Sequence, residues 1–278
     1  MTTPRSSPAF AKWLVAAPPM LFLLAFFLLP ALIMVAASFR QPGEFGGLAP
    51  LLLPDGRHSV NMEAYGFFFS DTVYARIFLR SFGVALSTTL LCLLMAYPLA
   101  WLIARSPKGR RDFLVLLVIL PFAANFLIRI YAWIILLGPL NLLYSSTAVI
   151  AGMVYVHLPF MVLPLYTNLE KHDPALLEAA QDLGANAWTR FWRITFPLSL
   201  PGVWSGSALV FIPVLGMFAI PELLGGTGDI LIGNLIKEQF LDNRDWPLGA
   251  TLSILLTMMV LTLAAIAAWA GKTRRELI

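Results

Sequence analysis

Few side chains in this 278-residue chain can do chemistry, and those few suit recognition better than catalysis. Two ionisable residues, Arg129 and Glu222, fall within or at the end of long apolar runs. Glu222 follows Pro221 and precedes the glycine-rich turn Gly225-Gly226-Thr227-Gly228-Asp229, where its carboxylate is placed to receive a cation. Tyr131 and Trp133 offer aromatic faces to an ammonium group, and they suit an interfacial aromatic belt equally well. Arg129 either serves a solute path or snorkels to the membrane surface. His157, beside Leu158-Pro159 in an apolar run, reads as a helix-packing histidine. No group of His, Cys, Asp and Glu has metal-ligand spacing, and neither a nucleophile elbow nor an H-E-x-x-H motif occurs. The glycine run lacks the Lys-Ser/Thr of a phosphate loop, and there is no Walker A sequence elsewhere. An enzyme reading fails for want of residues, and the chain is not expected to hydrolyse ATP by itself.

The other candidate residues stand in one polar stretch, 171–200, set between apolar runs. Asp173 is a good N-cap and Pro174 fits the first helical position. Glu178-Ala179-Ala180 has high helix propensity, and Gly184 is a natural stop because a left-handed residue costs least there. A second helical piece, 187–194, carries Trp188, Phe191 and Trp192 and is expected to end at Pro197. The result is a helix–Gly–helix element whose aromatics need cover. On these residues alone it either rests in the headgroup layer or docks on a partner in water.

Composition determines which elements position these residues. Hydrophobic residues make up 59% of the chain and charged residues 12%, about half the charge of a soluble domain. The lone Cys92 excludes an internal disulfide and reads as a small buried hydrophobe. Six apolar segments are long enough to span a bilayer: 13–37, 77–104, 113–137, 147–169, 202–224 and 246–271. The first is too long for a signal-peptide core. None alternates as barrel strands do, so the expected fold is all-α: a polytopic membrane protein of six transmembrane helices in one domain.

Twelve of the 19 lysines and arginines fall on one side of this topology: Arg5, Lys12, Arg105, Lys108, Arg110, Arg111, Lys171, Arg190, Arg193, Lys272, Arg274 and Arg275. Arg40, Arg57, Arg76, Arg80, Lys237 and Arg244 fall on the other, and Arg129 lies inside a segment. The positive-inside rule then puts both termini and the 171–200 loop in the cytoplasm. On straight helices Arg129 lies about 24 Å and Glu222 about 30 Å along their segments, both near the outer surface. The glycine run is on the wrong side for ATP. The basic residues are spread among loops, which points to topology and away from nucleic acid. The fifth segment, with Gly202, Ser205, Gly206, Ser207, Pro213, Gly216 and Pro221, is the candidate to line a path. Gly202 and Gly206 equally suit close packing within the chain.

The spacing Glu178-Ala179-Ala180, three residues, Gly184, nine residues, Ile194, one residue, Phe196-Pro197 resembles the EAA loop of ABC importer permeases, with Phe196 where leucine is usual. Leu120-Pro121-Phe122, Ile128-Arg129-Ile130-Tyr131-Ala132-Trp133, Val210-Phe211-Ile212-Pro213 and Ile220-Pro221-Glu222-Leu223-Leu224-Gly225-Gly226 look like the spermidine/putrescine group, closest to the first of its two permease subunits. The resemblance implies a type I ABC importer permease (MetI-like) fold and a bacterial cytoplasmic (inner) membrane location. It implies that Glu178, Ala179, Ala180, Gly184, Phe191, Trp192, Ile194 and Pro197 meet an ATP-binding cassette ATPase dimer, which binds the ATP and Mg²⁺. It further implies a second, homologous permease, an extracytoplasmic substrate-binding protein and a small cationic amine as cargo moved by alternating access. Arg129, Tyr131, Trp133, Phe211, Met217 and Glu222 would be the path residues. Met217 departs from the group, where an acidic residue is expected between 214 and 218, so a purely cationic polyamine has one partner fewer in this subunit. The rival reading, a self-sufficient secondary transporter or channel, calls for internal repeats, and no clear repeat is seen.

Overall fold

Long apolar runs free of internal polar alternation can satisfy their backbone only as helices, and helices make up almost all of the computed structural model. It describes residues 8–52, 58–228 and 230–275; Arg5, Arg57 and Asp229, used above, lie outside the described residues. In chain order come α1 (Pro8–Leu23), a π-helical turn (Leu24–Leu28), α2 (Leu29–Ser38), α3 (Glu63–Ser70), α4 (Thr72–Arg105), α5 (Lys108–Ala123), α6 (Phe126–Leu137) and α7 (Ser146–Leu169). Then follow α8 (Ala175–Asp182), α9 (Ala187–Arg190), a second π-helical turn (Phe191–Thr195), α10 (Phe196–Gly216), α11 (Ala219–Leu224), α12 (Ile232–Leu241) and α13 (Trp246–Arg275). Among the described residues β-type pairing is limited to isolated bridges such as Arg40 with Val60.

Among the described residues five stretches are long and apolar enough to cross a membrane: Val15–Ser38, Thr72–Arg105, Ser146–Leu169, Ala187–Gly216 and Trp246–Ile266. A sixth exists if α5 and α6 count as one span, but they meet at 92°. The straight segment 113–137 is therefore corrected to a broken one. Pro121 has no N–H, α5 ends in a three-residue bond from the Ala124 N–H to the Pro121 carbonyl at 3.3 Å, and the Asn125 side chain starts a new helix by accepting the Leu127 N–H at 2.9 Å.

The fifth segment also differs from 202–224. Its helix begins fifteen residues earlier, at Ala187, and stops at Gly216, where Met217 turns extended (φ −69°, ψ 126°). Glu222 is on the separate α11, so a height counted along one straight helix from Gly202 does not apply to it. Nor does Pro197 end the second helical piece. The π turn before it shifts the bonding register, with Phe196 N–H reaching back five residues to the Phe191 carbonyl. The helix then runs through Pro197 near its N-terminal start, where a missing N–H is tolerated.

The chain packs as two compact units. One takes the described residues up to Thr72 and from Ile236 onward. Its core is α2 against α13, with the buried Thr251 hydroxyl donating to the carbonyls of Pro247 (2.9 Å) and Ser38 (3.5 Å). The other, Val73–Leu235, is organised around α7, the helix with the largest buried share. α10 packs closely along α7 because Gly202 and Gly206 present no side chain. A Cβ on Gly202 would meet Asn168 Cβ at 2.8 Å, and one on Gly206 would meet the Met161 sulfur at 2.8 Å. These two glycines thus serve packing within the chain. Lipid is as apolar as leucine, so the gain is close van der Waals contact rather than hydrophobic burial. His157 is a packing residue too, buried and bonded through Nδ1 to the Met153 carbonyl at 2.8 Å.

Candidate functional site

The 171–200 stretch folds as its local signals dictate, up to the second helix. The Asp173 side chain accepts the Ala175 N–H at 2.9 Å, which starts α8. At its other end Gly184 has φ +79°, its N–H bonds the Gln181 carbonyl (2.9 Å), and the Ala185 N–H bonds the Ala180 carbonyl (3.0 Å). This pair of crossed bonds around a left-handed residue is a Schellman stop. Asn186 then caps α9 by accepting the Thr189 N–H at 2.8 Å. Arg190 on α9 reaches back to the Gln181 side chain on α8 (2.7 Å), which fixes the elbow between the two helices.

Glu178, Ala179 and Gly184 are exposed and Ala180 half-buried, so α8 presents most of its surface to solvent. Leu183, at 89% exposure, and Trp188, at 71%, are the most exposed large apolar side chains of the elbow, and Trp188 meets the rings of Phe191 and Trp192 behind it. Phe191 and Trp192 diverge in role from one common expectation. Phe191 turns inward, packed edge-on to Tyr97 of α4 with ring centroids 5.6 Å apart, while Trp192 remains exposed and meets Trp188 edge-on and Phe196 at a tilt. Ile194 is half-buried and Pro197 exposed. The side of α10 is tied to α4 by the Tyr97 hydroxyl, 2.9 Å from Ser199 Oγ. Between α4 and the α9–α10 helix is an apolar groove of about 840 Å³. Sequence reasoning missed Asn186, whose type is a cap signal, and Tyr97, whose contacts are tertiary and leave no local trace.

The other candidate residues gather on α6, the end of α10, and α11, and α11 packs against both α6 and α7. Arg129, in the first turn of α6, lies over the rings of Phe122 (5.6 Å) and Phe126 (5.9 Å). Those two rings flank the bend, so the guanidinium stacks at the corner between α5 and α6. Tyr131 is exposed; Trp133 is half-buried and edge-on to Tyr155 of α7 at 5.6 Å. Phe211 meets Phe82 of α4 edge-on at 5.4 Å. Met217 lies in the break between α10 and α11, and Glu222 is exposed on α11. The break is supported from α12: the Asn234 amide donates to the Phe218 carbonyl at 3.0 Å, and Gly233 lets the backbones of Gly216 and Met217 come close. Arg80 of α4 clasps the neighbouring loops, donating to Ser146 Oγ (3.2 Å) and to the Gly228 carbonyl. Among the described residues no group of three or more His, Cys, Asp or Glu is placed to hold a metal.

Comparison with known proteins decides the class. The model of the family described as the binding-protein-dependent transport system inner membrane component matches residues 93–272, well over half of the chain. The chain belongs to that family. It is an inner-membrane permease subunit of an ABC importer, and every candidate residue above falls inside the matched region. The spermidine/putrescine transport system permease protein PotB of Salmonella typhimurium is 44% identical over 207 residues, covering 68% of this permease and 72% of that protein. The PotB of Haemophilus influenzae is 39% identical over 258 residues, 86% of each chain. Among solved structures, a bacterial ABC transporter involved in the import of the acidic polysaccharide alginate superposes with a TM-score of 0.64 at 19% identity, over 95% of this permease and 96% of that chain. That likeness concerns the fold alone. Family membership removes the self-sufficient channel reading.

Proposed function

We propose that this permease carries a small cationic amine of the polyamine class across the membrane, driven by an ATPase that grips the α8–α9 elbow. The observation that carries the coupling half is the elbow itself: a short, capped, solvent-facing helix ending in a Schellman turn and joined directly to the continuous Ala187–Gly216 helix. Glu178, Ala179, Ala180 and Gly184 would form the contact surface, with Trp192 and Trp188 as apolar anchors. Phe191, Ile194 and Pro197 would act behind them, passing the motion into α10. The elbow and both termini would be cytoplasmic, as the distribution of basic residues supports. ATP and Mg²⁺ would stay in the partner ATPase dimer, since this chain has no Walker A sequence.

The cargo half rests on relatives that are 39% identical over 258 residues and 44% identical over 207 residues to this chain and are named for spermidine and putrescine transport. Glu222 supplies an exposed carboxylate for an ammonium group, and Tyr131 and Trp133 supply aromatic faces near it in the fold. Arg129, stacked on two phenylalanines, would set the cationic rim that keeps the amine on the Glu222 side. Phe211 and Met217 would give the path its apolar wall. A second, homologous permease and an extracytoplasmic binding protein complete the machine, the latter delivering cargo to the α11 end.

The test is uptake of labelled putrescine and spermidine by the complete importer in proteoliposomes, together with its ATPase rate. Wild type is expected to accumulate polyamine, and Glu178→Arg to lose uptake while remaining in the membrane, because a reversed charge in a docking surface costs several kcal/mol. Normal uptake by Glu178→Arg overturns the coupling role. Substrate-stimulated ATPase activity with some other solute, and none with polyamines, overturns the cargo.

A further inference from the structure

We infer that the groove between α4 and the start of the α9–α10 helix is a binding site for one anionic phospholipid, its phosphate held by Arg105 and Arg190. The groove is walled by apolar and aromatic side chains, among them Leu90, Leu94, Tyr97 and Trp101. Among the described residues that line it, charge is carried by Arg105 and Arg190 alone, both cationic and with no carboxylate to answer them.

Depth along the helices gives the site the dimensions of a lipid. α4 has 34 residues and the Ala187–Gly216 helix 30, so they extend about 51 Å and 45 Å, well beyond the roughly 30 Å of hydrocarbon. Arg105 is the last residue of the first and Arg190 the fourth of the second, so both guanidiniums lie at headgroup level. Leu90 lies fifteen residues back from Arg105, about 22 Å into acyl-chain depth. A free phosphate would use only the mouth of such a site, whereas a phospholipid fills its length.

The two guanidiniums are presented for an anion. The Arg105 guanidinium lies over the Trp101 ring at 5.0 Å, a cation–π contact that takes up none of its hydrogen-bond donors. Arg190 uses one N–H on Gln181 and holds further donors of its five for another partner. A planar fork of donors matches a phosphate bidentately. An apolar helix from a partner protein would cover the groove but leave both cations unanswered at the interface; an anionic phospholipid satisfies both parts. Such a lipid would brace the α8–α9 elbow against α4, so the anionic lipid content of the membrane would set how firmly the elbow is held. The assignment shares Arg190 and Trp192 with the elbow, but a lipid-labelling readout does not depend on the coupling reading.

The experiment uses the complete importer in phosphatidylcholine vesicles containing a small, equal fraction of either phosphatidylglycerol or phosphatidylcholine with a photoactivatable acyl chain. Adducts are mapped by peptide mass spectrometry. Phosphatidylglycerol is expected to label segments 90–101 and 187–196 about thirtyfold more than phosphatidylcholine, the preference that two interfacial arginines supply. The double variant R105Q/R190Q is expected to reduce that preference to unity while its adducts elsewhere are unchanged. Equal wild-type labelling by the two lipids overturns the headgroup assignment without any variant. No labelling of the groove by either lipid means that a protein segment covers it, and a preference that survives R105Q/R190Q places the anion elsewhere; both results sink the proposal.

Discussion

Replacing Gly184 by alanine isolates what the elbow demands of the backbone. Gly184 has φ +79°, and no atom lies within 4 Å of where its Cβ would sit. Alanine therefore meets no clash, and its whole cost is the left-handed conformation, about 1–2 kcal/mol. That corresponds to roughly a 5- to 30-fold loss in the population of the observed turn. Asparagine tolerates the left-handed region better and should lose less. If the elbow is the docking surface, the affinity of the purified ATPase subunit for the permease complex in nanodiscs should fall in the order Gly184, Gly184→Asn, Gly184→Ala. The thermal stability of the complex should hardly move, since Gly184 touches no other element. Wild-type affinity in Gly184→Ala would refute the reasoning. So would Gly184→Asn binding more weakly than Gly184→Ala, because side-chain size rather than backbone conformation would then decide.

Two further substitutions probe the ends of the long helix. A Cβ on Gly233 would lie 2.6 Å from the Gly216 carbonyl oxygen and 2.8 Å from that of Met217, both backbone atoms that cannot rotate away. Gly233→Ala should therefore cost about 1–3 kcal/mol by overpacking. It should lower the melting temperature of the detergent-purified complex, whereas Gly216→Ala, with open space around it, should leave that temperature unchanged. At the other end, Asn186→Ala removes the acceptor of the Thr189 N–H, a loss of about 0.5–2 kcal/mol for a helix cap. Amide hydrogen exchange at Thr189 should speed up in Asn186→Ala and stay near wild type in Asn186→Ser; equal rates in the two would exclude the cap.

Much of the fold and the elbow is legible in the sequence because the deciding signals are local. Asp173, Pro174 and Gly184 each act within a few residues, and α8 begins and ends where they dictate. The same holds for α7, which starts just after Ser145, whose side chain accepts the Ala148 N–H. The bend after Ala123 also had a local signal, Asn125, but hydropathy runs unbroken across it and conceals a change of direction. Pro197 misleads for the opposite reason. Its local meaning is a helix stop, and the π turn that admits it is a register change that no propensity scale records. The candidate path residues were least legible. Glu222 is apolar-flanked in sequence, yet its position depends on where α10 stops, and that is set by the tertiary approach of Gly233 to Gly216.

The continuous helix from Ala187 to Gly216 gives the two candidate regions a mechanical relation. At 30 residues it is about 45 Å long, and a packed helix moves as a body rather than bending at each turn. Its first turn is bonded to the elbow through Arg190 and Gln181, and its last residue abuts the break that carries Met217. The close glycine contacts with α7 fall between these ends, at Gly202 and Gly206, so α7 is the surface along which such a body would slide or tilt. A push on α8 under the proposed coupling would thus be felt at Met217 and Phe218 without any side chain in between changing rotamer. Besides Pro201 and Pro213, which each lack a helix N–H, the irregularity along this lever is the π turn at Phe191–Thr195, and it lies directly behind the elbow, braced by Tyr97. Compliance located there would let the elbow adjust to its partner while the rest of the helix stays stiff.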